Sequence, residues 1–184
     1  MISDAVGMIE PAHFRRDFVL SLKTKRLLSL AVVLAVAAMI FFFSAQKAED
    51  SSKLSGEVTD FVLSLVVPGY RDMTPAERAP YLVNWSLTVR KCAHFSEYAL
   101  LAVSLVCFLH YLLQKGTPWQ ILALAWLFAT LYACTDELHQ MFVDGRGPAL
   151  LDVAIDSAGA LTGALLATLA VGIKYKNQKM DAAE

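Results

Sequence analysis

Apolar residues gather into four long blocks along this chain, and between the first two blocks they recur instead at helical spacing. Residues 27–43 form a charge-free run dominated by Leu, Val, Ala, Ile and Phe, and the mostly apolar stretches 92–113, 119–134 and 153–173 follow. With its flanks, each block supplies the roughly 20 helical residues needed to cross a hydrocarbon core of ~30 Å. The pattern predicts transmembrane helices near 27–45, 92–113, 119–138 and 152–173. Between the first two, Leu54, Val58, Phe61, Val62, Leu65 and Val66 repeat at three- and four-residue intervals, while Lys53, Glu57, Asp60 and Ser64 take other positions. That is an amphipathic helix, expected on the outer leaflet. Val67-Pro68-Gly69 closes it. Thr74-Pro75-Ala76-Glu77 pairs a Thr-x-x-Glu capping box with proline at the first helical position, so a second helix is expected from Pro75, with Pro80 a place for a bend, leading to the second span. Gly116-Thr117-Pro118 and Asp144-Gly145-Arg146-Gly147-Pro148 read as tight turns. The expected architecture is an all-α polytopic membrane protein of four transmembrane helices with a helical extracytoplasmic loop. It comprises one membrane domain, 27–173, between an interfacial N-terminal segment, 1–26, and a tail, 174–184.

Composition agrees with the pattern. Hydrophobic residues make up 57% and charged residues 18% of the 184 positions, too apolar a balance for an ordinary soluble domain. Basic residues set the orientation: Arg15, Arg16, Lys23, Lys25 and Arg26 precede the first block, Lys115 sits in the second turn, and Lys174, Lys176 and Lys179 follow the fourth. The positive-inside tendency then places both termini in the cytoplasm. A cleaved signal peptide is the rival reading of the N-terminus, but the apolar run exceeds a typical signal core and Phe42-Phe43-Ser44-Ala45-Gln46 has no small-x-small site, so an uncleaved helix is expected. Cys92, Cys107 and Cys134 have no metal-motif spacing and suggest no disulfide framework. A net charge of −1 gives no reason to expect nucleic-acid binding.

The polar residues inside or beside the spans carry the candidate chemistry. Arg90, His94 and Glu97 are spaced four and three apart and share one helical face. A lone charge costs ~2.5 kcal/mol or more at the centre of a span and less near its ends, so Glu97, about two turns inside Arg90, should face protein or a wet cavity. The third span ends in Asp136-Glu137-Leu138-His139-Gln140, where Asp136 and His139 share a face and Glu137 and Gln140 form the adjacent stripe. In the fourth, Asp152, Asp156, Gly159 and Gly163 fall on one face, and the Gly-x-x-x-Gly pattern lets another helix approach closely. The acidic face and the packing face therefore coincide. With the N-terminus inside, these clusters, together with Ser44, Gln46 and Arg146, all fall in one outer layer.

Phe43-Ser44-Ala45-Gln46, the segment from Arg90 through Tyr98, Asp136 through Phe142, Gly145-Arg146 and Asp152 through Gly163 together resemble the VanZ-like family of bacterial membrane proteins, across roughly residues 29–172. The resemblance implies a small helical protein of the bacterial cytoplasmic membrane, and the family's namesake is associated with low-level resistance to the glycopeptide teicoplanin. No particular reaction is implied. Three roles stay open for the polar layer. It could bind an anionic lipid-linked or cell-wall component, or a glycopeptide, through Arg90 and Arg146, with Gln140, Ser44 and Gln46 at the rim. It could be an enzyme site in which His94, Glu97, Asp136 or His139 carries out acid–base chemistry and a divalent ion is held among His94, Glu97, Asp136, Glu137, His139, Asp152 and Asp156. It could also be a purely structural network in which the arginines neutralise the carboxylates. Oligomeric state is left open, since the glycines could pack within one chain or between two.

Overall fold

The computed structural model describes residues 20–147 and 149–181, with side chains through Gly172. Among these residues the chain is five α-helices and one 3-10 turn, with no strand. The helices are α1, Leu22–Ser44; α2, Ala48–Val66; α3, Pro75–Leu112; α4, Pro118–Gln140; and α5, Leu150–Asp181. The 3-10 turn is Tyr70–Asp72. Four of the helices, all but α2, are long and apolar enough to cross a membrane.

Boundaries differ from the sequence pattern in instructive ways. Ser21 caps α1 by accepting a hydrogen bond from the Thr24 N–H, so the helix starts ahead of the apolar block and takes in Lys23, Lys25 and Arg26. The rest of the expected interfacial segment, residues 1–19, lies outside the described residues. At the other end α5 continues through the expected tail to Asp181. The two helices anticipated around Pro75 and Cys92 are one unbroken 38-residue helix. At ~1.5 Å per residue it is about 57 Å long, far more than the ~30 Å core it crosses. Pro80 sits near its start, where the loss of one N–H donor is tolerated.

α3 is the mast of the molecule, packing against α1, α2, α4 and α5. Its start is held by the expected capping box, in which the Glu77 carboxylate accepts from the Thr74 N–H at 2.7 Å. Its end is held by Arg26 of α1, whose Nε donates to the Tyr111 carbonyl at 2.8 Å, one of the carbonyls a helix end leaves unpaired. α2 folds back along the projecting half of α3. Tyr70 is fully buried in this hairpin, donating to Asp60 at 2.9 Å while the Arg78 guanidinium lies over its ring.

Within the membrane-crossing bundle, helices meet through small residues. Ala125, Ala129 and Ala133 of α4 and Ala160 and Ala164 of α5 are fully buried at four-residue intervals. Gly159 and Gly163 touch α3 so closely that an added Cβ would collide with the carbonyls of Phe95 and Ala99. This is the close backbone approach that small-x-x-x-small spacing permits. Polar contacts then fix the register: Tyr132 of α4 donates to the Ala37 carbonyl of α1 at 2.7 Å, and Trp126 of α4 donates to Ser157 of α5.

Candidate functional site

The α3–α5 contact decides where the acids go. Because Gly159 draws α5 against α3, Asp156 one turn earlier is pressed beneath His94 and is 1% exposed. Its Oδ1 lies 3.9 Å from His94 Nδ1, within ion-pair range and beyond a hydrogen bond. One turn further out Lys91 pairs with Asp152 at 3.7 Å.

On the other side of α3, the end of α4 meets the end of α1. The Gln140 amide donates to Ser44 Oγ at 2.9 Å and to Asp136 Oδ2 at 3.2 Å, and all three side chains are buried. The second Asp136 oxygen, Oδ1, is buried with no hydrogen-bond partner among the described residues. Glu137 turns away from this group. Its carboxylate accepts from the Ala149 N–H at 2.8 Å, a carboxylate at the α5 N-terminus where the helix dipole favours it.

Arg146 comes from the α4–α5 turn, whose shape depends on Gly145 at φ 75°, a left-handed conformation costly for other residues. That turn is anchored to α2 by the Ala48 N–H, which donates to the Asp144 carbonyl, and by the Lys47–Asp144 ion pair. Burial, followed by the nearby Arg90 charge, pushes the Arg146 guanidinium below its ordinary pKa, while Asp136 and Glu137 pull it back. Arg90, His94, Glu97, Gln46 and Arg146 line one cavity of about 290 Å³, closed on its other side by Phe43 of α1 and Leu54 and Val58 of α2. A smaller cleft of about 100 Å³, lined by Asp152 and Asp156, adjoins Arg90 and His94 on the α5 side.

A family profile for VanZ/LLP1 matches residues 29–171, most of the chain and every element of this polar layer. The chain belongs to the VanZ/LLP1 family. No match was found to a curated protein or to a solved structure. The VanZ/LLP1 match ends within α5 and begins within α1, so the α2–α3 hairpin lies inside the family region.

Of the residues singled out by sequence, Arg90, His94, Glu97, Gln46 and Arg146 share the cavity, and Asp152 and Asp156 share the cleft behind it. Ser44, Asp136 and Gln140 form the hydrogen-bonded seam between α1 and α4. His139 stands apart from the cavity, with its ring 4.7 Å from that of Phe41. Among the described residues no three His, Cys, Asp or Glu side chains are placed to hold one metal ion, so the metal-centred role has no preformed ligand set. Nor does either Arg90 or Arg146 lie within 4.0 Å of a carboxylate in any ion pair among the described residues.

Six participants were not among the site residues read from the sequence. Lys91 pairs with Asp152, although a lysine beside a span ordinarily reads as an orienting charge. Tyr98, which the sequence offered only as the end of the motif from Arg90, is fully buried. Ser51, Leu54, Ser55 and Val58 of α2 complete the cavity wall, which only the folding back of α2 on α3 could reveal.

Proposed function

We propose that the chain binds an anionic, phosphate-bearing component of the bacterial envelope in the Arg90–Arg146 cavity, as an accessory protein of the cytoplasmic membrane. The polar end faces outward and both termini are cytoplasmic in this reading, in keeping with the basic residues near Leu22 and in the 112–118 turn. The observation that carries it is that two arginines line a single cavity without an ion-paired carboxylate, while the Nε and Nη1 atoms of Arg146 are buried with no hydrogen-bond partner among the described residues. A buried donor without a partner costs about 1–3 kcal/mol, more when charged, and a phosphate oxygen would satisfy it. The nearby buried acids support this arrangement by fixing the surrounding side chains: Asp136 through Gln140 and Ser44, Glu137 through Ala149.

Cavity size favours a small head group. About 290 Å³ lies at the bottom of the range for drug-sized ligands, which suits a phosphate and a few further atoms and not an entire glycopeptide. A contribution to teicoplanin resistance would then act indirectly, through a lipid-linked wall component. Native mass spectrometry with phosphatidic acid tests the binding role. Arg90→Gln and Arg146→Gln should each lower affinity about 10- to 100-fold, as expected for loss of a charge-assisted contact, while the helical circular dichroism signal is retained. Unchanged binding in both folded variants would remove the proposal.

A further inference from the structure

The cavity has two unlike walls. One is cationic, built by Arg90 and Arg146; the other is apolar, built by Phe43, Leu54, Val58 and Val89. The apolar side is not a sealed core. Leu54 is 39% and Val58 42% exposed, and Phe43 follows the exposed Phe41 and Phe42 at the end of α1. Exposed apolar residues of α1 and α2 therefore border a cavity whose opposite wall is positively charged.

From this we infer that the site selects a phosphate monoester of a membrane-resident lipid over free phosphate, reading the first carbons of the chain against Phe43, Leu54 and Val58. The inference rests on the anion-binding role proposed above. Leu54 and Val58 are one helical turn apart on α2, so together they present a stripe along which an extended chain lies. They contribute little to holding α2 in place, because α2 packs through its buried Thr59 and Leu63 on another face. A soluble glycan or peptide would leave its polar groups unpaired against such a wall, whereas a hydrocarbon gains by leaving water. The polar groups at the rim, Gln46, Ser51 and Ser55, sit where the ester oxygens of a head group would emerge.

Chain-length dependence tests this directly. Full-length protein in amphipol is titrated calorimetrically with inorganic phosphate and with ethyl, butyl, hexyl and octyl phosphate, each below its micellar concentration. Affinity of the wild type should rise about two- to fourfold per methylene until the wall is covered, the upper figure corresponding to full burial of each CH₂. In Leu54→Asn and Val58→Asn the ratio of octyl phosphate to inorganic phosphate affinity, taken within each variant, should fall towards one. A wild type that binds all five probes equally overturns the lipid selection and leaves the anion-binding role standing. Wall variants that keep the full chain-length dependence also overturn it. Binding of no probe by the wild type removes both.

Discussion

Gly159 and Gly163 set the positions of Asp152 and Asp156 on α5, because a β-carbon at either glycine would occupy the space of an α3 carbonyl. Gly163→Val is therefore expected to destabilise the protein by at least the ~1–3 kcal/mol typical of overpacking, seen as a lowered thermal midpoint in detergent. Gly172→Val, on the same helix with nothing within 4 Å of the added carbon, should leave the midpoint nearly unchanged. Similar effects at the two positions would show that close packing at Gly163 is not what holds the acidic face in place. This feature was legible in the sequence, since small residues and acids at offsets of four and three repeat on one helical face. The partners were not: spacing places Asp152 and Asp156 on a face, but which basic side chain meets each depends on the axial register of α3 against α5. Lys91 and His94 emerge as those partners only in three dimensions. His139 illustrates the converse, since it shares a helical face with Asp136 by spacing yet stacks on Phe41 of α1.

At the scale of elements, the α2–α3 hairpin is the part that local pattern described least completely. The capping box at Thr74 and the helical period of α2 were readable, because both arise within a few residues of chain. The pairing of α2 with α3 was not, because it depends on Tyr70, a lone aromatic in a turn that becomes fully buried between Asp60 and Arg78. The apolar face of α2 stays largely exposed, at Leu54, Val58, Phe61, Leu65 and Val66, while Thr59 and Leu63, off that face, pack inward. Removing the aromatic wedge should loosen the hairpin more than the bundle. Tyr70→Ala is expected to raise hydrogen exchange across residues 48–75 by an order of magnitude or more, as local opening becomes easier, with α4 and the buried part of α5 little affected. A uniform rise over all five helices would instead mean that the hairpin and the bundle unfold as one unit.

Across the whole molecule, four blocks of apolar sequence become a bundle whose unusual polar groups meet at one end, and that convergence follows from alternating helix direction, with α2 connecting α1 to α3 and short turns joining α3 to α4 and α4 to α5. The turns at 113–117 and 141–149 lie at opposite ends of the bundle, so a sidedness experiment reads the orientation of both. In a background lacking Cys92, Cys107 and Cys134, Asp144→Cys should react with a membrane-impermeant maleimide in intact cells and Lys115→Cys only after lysis; the reverse pattern would put the polar end in the cytoplasm. Side-chain chemistry at that end was visible as residue types, but the cavity was not, since its apolar wall comes from α2 and its second arginine from a turn. The cavity's proposed role rests on Arg90 and Arg146 acting on one phosphate, and a double-mutant cycle on octyl phosphate affinity tests that most directly. Arg90→Gln and Arg146→Gln should each weaken binding about tenfold or more, and the double variant should lose less than the product of the two, a coupling of about 0.5 kcal/mol or greater between residues sharing a ligand. Equal affinities in all four folded proteins, or losses that multiply without coupling, would contradict a shared phosphate site.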